Sequence, residues 1–206
     1  MSSIAKNERI QDFVYGGFYV KMRWMVLAPF LLITGCAADN TTKMSVEMFN
    51  QVGDSLGSIE VTEEAEGVSF AILLEGLTPG EHGLHIHEKG DCTPPDFTGA
   101  GNHFNPDEKK HGLLHPEGAH AGDLPNIIVD ENGVVDVEIT APNVTLKKGK
   151  KNSLLHKDGT SIIITEAKDD GMTQPSGDSG SRIACGKITE EEAKKADKKE
   201  VQKEEE

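Results

Sequence analysis

The sequence predicts an all-β domain, an antiparallel sandwich or barrel, and three observations predict it. Short apolar or alternating segments recur between turn signals along the middle of the chain. Glycine is abundant at 22 residues while aromatics make up 5%, a balance that suits many turns and short strands better than a helical bundle. No long amphipathic helical pattern interrupts the series, which disfavours an alternating α/β arrangement.

Eight segments carry the strand pattern: Met44 to Asn50, Ser58 to Thr62, Val68 to Leu74, Gly83 to Glu88, Asn126 to Val129, Val134 to Thr140, Ser161 to Thr165 and Arg182 to Ile188. The sixth alternates apolar and polar residues as a half-buried strand should. Turn residues punctuate the series at Val52-Gly53-Asp54, Thr78-Pro79-Gly80, Asp130 to Gly133 and Asp158-Gly159. Two long connections remain, Lys89 to Pro125 and Glu166 to Ser181, and loops of that length in a small domain usually carry function.

The ends of the 206-residue chain read differently from its middle. Lys21 and Arg23 precede an apolar run from Trp24 to Ile33, too short to cross a bilayer of about 30 Å and laid out as a signal peptide. The run ends Ile33-Thr34-Gly35-Cys36, similar to a bacterial lipobox, in which the cysteine takes lipid. Charge, length and the small residues before Cys36 favour this over a buried strand ending in a core cysteine. Residues 1–36 are therefore expected to be leader and signal, with translation beginning at Met22 a consistent start. Residues 37–43 form a polar tether and 44–188 the domain. Residues 189–206, almost wholly charged, form a tail expected as solvated helix or disorder. The expected location is extracytoplasmic, lipid-anchored to the bacterial cell membrane.

A formal charge of −14 argues against nucleic acid as a partner, since that affinity needs many Lys and Arg against phosphates. With Cys36 lipidated, Cys92 and Cys185 are left as a pair in an oxidising compartment, where a disulfide is expected. It would close a loop stabilised by about 4 to 5 kcal/mol in the chain-entropy account.

Seven of the eight histidines fall between His82 and His120. His85 and His87 flank Ile86 in a strand, whose period of two turns both imidazoles to one face. His103, His111, His120 and Asp123 follow, three imidazoles and a carboxylate, a donor set suited to tetrahedral zinc.

At these residues the chain resembles the copper/zinc superoxide dismutase family. The resemblance rests on Gly83 to Glu88 (GLHIHE), Gly99 to Pro106 (GAGNHFNP), His111, His120 to Leu124 (HAGDL) and Gly177 to Ile188 (GDSGSRIACGKI), and spans about Met44 to Ile188. It implies an eight-stranded Greek-key sandwich with copper and zinc as cofactors. His85, His87 and His103 match copper ligands, and His103 with His111, His120 and Asp123 matches the zinc set. Asp169 matches a carboxylate linking one histidine at each metal, Cys92 and Cys185 the intrasubunit disulfide, and Arg182 the arginine that attracts superoxide. Cys92 stands further before His103 than in many relatives. The implied activity is an antioxidant one, two-step dismutation of superoxide to O2 and hydrogen peroxide, with His103 and Arg182 as catalytic residues. A homodimer is an assembly the resemblance allows.

One position departs from the pattern. In Ile163-Ile164-Thr165-Glu166, Thr165 stands where the family carries its remaining copper histidine, and a neutral hydroxyl is a poor copper ligand. His156 lies nine residues earlier, roughly 20 Å away along a strand, so it is expected as an exposed loop residue, and His82 and His115 likewise as solvated loop histidines. Two functions follow: a dismutase of reduced activity on three-histidine copper, or a non-catalytic extracytoplasmic zinc and copper binder. A zinc hydrolase is disfavoured because three histidines and an aspartate close the zinc site. The loop from Gly171 to Ser181 holds no Lys or Arg, so attraction of the anion is expected to be weak and to depend on Arg182.

Overall fold

A computed structural model describes residues 42–195. Cys36, the signal segment, most of the tether and residues 196–206 lie outside the described residues.

Nine strands form: β1 (Lys43–Asn50), β2 (Ser55–Glu64), β3 (Gly67–Leu74), β4 (Gly80–His82), β5 (Leu84–His87), β6 (Ile127–Val129), β7 (Val135–Ala141), β8 (Thr160–Thr165) and β9 (Arg182–Ile188). Seven make one antiparallel sheet in the order β5-β8-β9-β1-β2-β3-β7, and β4 pairs with β6 in a second sheet of two. The all-β expectation holds. Two predicted segments differ in extent. The stretch from Gly83 to Glu88 forms the shorter β5, and β4, at Gly80–His82, was not among the predicted segments; the chain changes sheets at Gly83, whose N–H is donated to Ala167 O at 2.9 Å. The second strand runs five residues beyond prediction in total, because Glu63 and Glu64 pair with β3 and Ser55 to Gly57 pair with β1 across a bulge opposite Met48 and Phe49.

Alternation explains the core. In β1, Met44, Val46 and Met48 point inward while Lys43 and Glu47 face water. Phe70, Ile72 and Leu74 of β3 and Ile59 and Val61 of β2 meet them. The alternation expected in β7 breaks at Val137, which is part exposed. Every residue of β8 is buried. Ile162 and Ile164 enter the main core, and Ile163, on the opposite face, packs in a second cluster with Phe97, Ala100 and Cys185. The loop after β5 thus covers the outer face of β8, and the Cys92–Cys185 disulfide fastens it there, with a Cα separation of 5.6 Å. After β9, residues 190–195 begin a helix. Ala193 in it is buried, so this first turn of the tail packs on the domain instead of standing wholly in solvent.

Candidate metal centre

β5 is an edge of the large sheet, and its free hydrogen-bonding side is taken up by the long loop that follows. Ile86 donates its N–H to Gly122 O and accepts from Phe104 N, each at 2.8 Å, and Glu88 donates to Asn102 O at 2.9 Å. Single ladder pairs therefore set His103 beside His87 and Asp123 beside His85. Gly122 makes this approach possible, since a side chain there would collide with Ile86 O. Residues 20 apart in sequence thus become neighbours at the edge of one strand.

Two clusters result, sharing His103. In the first, Nδ1 of His103, His111 and His120 lie 2.8, 3.1 and 3.1 Å from Asp123 Oδ1. The other oxygen, Oδ2, accepts from the N–H groups of Gly112 at 2.8 Å and His120 at 2.9 Å. Burial alone would raise the Asp123 carboxyl, but the hydrogen bonds from His103, His120 and Gly112 hold it well below the usual carboxylate range. Three imidazole nitrogens and one anionic oxygen converging in a buried space are the donors a tetrahedral zinc takes.

In the second cluster, the rings of His85 and His103 stack at 4.0 Å between centroids, and His87 stands edge-on to His103 at 4.9 Å. His87 Nδ1 donates to Gly101 O at 3.0 Å, and His85 Nε2 donates to Asp169 Oδ2 at 2.6 Å. Those bonds leave the lone pairs on the opposite ring nitrogens, His87 Nε2 and His85 Nδ1. Both atoms are fully buried with no partner among the described residues. Buried polar atoms are ordinarily paired, so two orphaned nitrogens converging on one space fit a metal that takes nitrogen ligands. Burial pushes the His87 imidazole down to about 2 and that of His103 down to about 4, the latter against the opposing hydrogen bond from Asp123. Both rings are neutral at pH 7 and free to ligate.

Asp169 joins the clusters: besides His85 it accepts from His111 Nε2 at 3.1 Å. It holds one imidazole of each cluster in the tautomer that aims its other nitrogen inward, the usual outer partner of a ligating histidine. Arg182 donates to Phe97 O and Gly101 O, each at 2.7 Å, so the disulfide-bonded loop fixes the guanidinium. It lines a cavity of about 510 Å³ together with His87, His103, Glu88, Ser179 and Thr165.

The structure brings His85, His87 and His103 into one group and His103, His111, His120 and Asp123 into another, with Asp169 bonded to His85 and His111 and Cys92 joined to Cys185. Thr165 reaches the cavity, and its one hydroxyl proton is shared between Ala167 O at 3.1 Å and Gly83 O at 3.3 Å. His156 is in neither cluster and stacks on Phe104 at 5.7 Å, partly covered instead of exposed. His115 is part buried and accepts from Glu117 N–H at 3.0 Å. His82 corrects the expectation of a solvated histidine. It is buried, with Nδ1 2.7 Å from Thr165 O and Nε2 2.7 Å from Thr78 O, so it holds the backbone behind the cavity.

Two carboxamides escaped the sequence reading. Asn126 accepts from Asp169 N–H at 2.9 Å and donates to Asp169 O at 2.8 Å. Gln174 accepts from His111 N–H at 3.0 Å and donates to His111 O at 2.9 Å. Each clamps the main chain of a site residue more than 40 positions away, a relation no local pattern announces.

The sequence matches the copper/zinc superoxide dismutase family over residues 55–188. A copper/zinc superoxide dismutase of Aquifex aeolicus is 47% identical over 164 residues, covering 79% of this chain and 96% of that protein. A superoxide dismutase-like protein of Bacillus subtilis is 48% identical over 145 residues, covering 69% of this chain and 74% of that one. Among solved structures, a SOD-like protein from Bacillus subtilis superposes with a TM-score of 0.69 at 47% identity, covering 70% of this chain and 97% of that one. The copper/zinc superoxide dismutase from Brucella abortus gives 0.58 at 32% identity, covering 71% and 99%. With the histidine clusters, the linking aspartate and the disulfide in place, this chain belongs to the copper/zinc superoxide dismutase family.

Proposed function

We infer that the chain disproportionates superoxide to O2 and hydrogen peroxide at a copper held by His85 Nδ1, His87 Nε2 and His103 Nε2, beside a zinc held by His103, His111, His120 and Asp123. The observation that carries this is the pair of orphaned, fully buried nitrogens on His85 and His87. Bound there, copper supplies the one-electron couple that oxidises one superoxide and reduces another. The chain's own residues do the rest. Arg182 draws the anion into the cavity, and its two carbonyl anchors keep the guanidinium from swinging out. His103 Nδ1 is committed to the Asp123 side, which leaves Nε2 as the nitrogen that can carry a proton toward the cavity. With Thr165 contributing no nitrogen, copper is held by three imidazoles and the site is weaker than one of four.

A second reading, a non-catalytic zinc and copper binder, is favoured by one observation: among the described residues Arg182 is the only Lys or Arg lining the cavity, and the acidic Glu88 lines it too. Copper-supplemented protein separates the two. Superoxide consumption that scales with bound copper and falls on Arg182→Ala supports the enzyme. Bound copper without turnover supports the binder. The chain is further read as extracytoplasmic and anchored by lipid on Cys36, which mass spectrometry of the mature protein tests.

A further inference from the structure

The chain enters the domain at one end of the large sheet. Thr42 O accepts from Glu63 N–H at 2.7 Å, and Lys43 pairs with Thr62. The carboxylate of Glu63 in turn binds the connection between β7 and β8: it accepts from Thr145 Oγ1 at 2.8 Å and Leu146 N–H at 2.6 Å and pairs with Lys147 at 3.0 Å. That connection reads Thr145-Leu-Lys-Lys-Gly-Lys-Lys151, and from Ala141 to Lys157 it holds five lysines and no Asp or Glu. In a chain of net charge −14 this is a local reversal of sign.

The lysines are placed to act together. Lys147 is 55% and Lys151 69% exposed, and Lys150 and Lys157 are exposed without an ion pair among the described residues. Lys151 reaches Asp107 at 3.1 Å, which brings the segment carrying Lys109 and Lys110 to the same end. Lys148 pairs with Glu190 just past β9, so the cluster sits at the Ile188 end of the β8–β9 pair. Thr165 and Arg182 are at the other end of that pair, five ladder steps or roughly 17 Å away.

We propose that this lysine loop is a docking face for an anionic lipid bilayer, oriented by the point at which the N-terminal chain leaves the domain. The acids that touch the loop, Glu63, Glu190 and Asp107, are each held in an ion pair with one of its lysines, which leaves Lys150 and Lys157 as its unpaired charges among the described residues, and acids beyond a Debye length of about 10 Å are largely screened. The loop's lysines are the part of the domain that the approach brings within that distance. Only five residues lie between Cys36 and Thr42, six steps along the chain with a reach of at most about 22 Å, so a lipid on Cys36 would keep this end against the headgroups. One acyl chain with a basic patch anchors more firmly than either alone. Docked in this way, the domain leaves the cavity end directed away from the bilayer. The proposal draws on the anchored reading for its orientation, but the contact itself needs no lipid.

The test uses residues 38–206, which keep every described strand and both histidine clusters and lack Cys36. Binding is measured at low ionic strength to vesicles of phosphatidylcholine alone and of phosphatidylcholine with phosphatidylglycerol. Affinity for the anionic vesicles should exceed that for the neutral ones by about ten-fold or more, and added salt should abolish the difference. The combined change of Lys147, Lys148, Lys150 and Lys151 to Gln should remove most of the preference, while Lys168→Gln, near the cavity end of β8, should keep it. Should the fourfold variant lose zinc or fold poorly, Lys150→Glu with Lys157→Glu, two exposed positions without described pairs, takes its place. Equal binding to both vesicles by the unaltered chain, or an undiminished preference in the loop variants, overturns the proposal. An unmodified Cys36 would sink the lipid anchor alone and leave the vesicle result standing.

Discussion

The two histidine clusters share a residue and a buried location but differ in how completely they are closed. Around Asp123, the Nδ1 atoms of His103, His111 and His120 and both carboxylate oxygens already have partners, and four donors come together. Around His85 and His87, two nitrogens are orphaned, and the side facing Thr165 opens onto the cavity. A closed set of donors binds tightly and orders the loop that carries it; an open set leaves room for an incoming molecule. The difference between a structural and a reactive site is thus drawn by the contents of the fourth side.

The sharpest way to break this contrast is at the closed cluster. His120→Ala should weaken zinc binding by more than about a hundred-fold, beyond what loss of an outer partner costs. It should lower the melting temperature of zinc-loaded protein more than that of metal-free protein. Equal losses in calorimetry of the two forms would deny zinc its structural role.

Asp169→Asn acts on both clusters at once, because one carboxylate holds His85 and His111. Zinc and copper affinity should each fall by about ten- to a hundred-fold in chelator competition. A change confined to one metal would mean that the other histidine is held by its packing.

Thr165→His should sharpen the contrast by filling the open side. Copper affinity is expected to rise by about ten-fold and dismutase activity with it, while zinc content stays constant. If unaltered protein already equals the variant in both, a ligand other than the three imidazoles completes the site. If the variant binds copper tightly yet remains inactive, the fault lies in the cavity around Arg182.

The smallest effect is on metal-free protein in acid. His103 is held at about 4, below its ordinary 6.5, chiefly by burial. As pH falls through that window the unfolded chain takes up a proton that the folded one refuses, so stability is present above about 6.5 and is lost toward 4. His103→Asn should flatten this limb in urea titrations run across the window. An unchanged slope would assign the acid sensitivity elsewhere.

Much of this was legible in the sequence because it is local. Alternation over a few residues sets which side chains of β1 and β3 face inward, and the same period turns His85 and His87 to one face. The spacing of the remaining ligands carried the family's order, and the Thr165 departure stood out against it. Other features were not local. His82, an ordinary loop histidine by its neighbours, is buried because two carbonyls, one of them 83 residues away, come to meet its ring. Asn126 and Gln174 clamp Asp169 and His111 across 43 and 63 positions.

The sequence by itself determined the strands other than β4, the donor types and their order, since each depends on residue identity and near neighbours. Only the tertiary structure decided that Thr165 spends its hydroxyl on Gly83 and Ala167, that Asp169 reaches both clusters, and that the lysine loop lies where the chain enters the domain. Those outcomes depend on which strand edges and loop carbonyls pack together, and a hydrogen bond is a relation of position and angle that no short window of residues encodes.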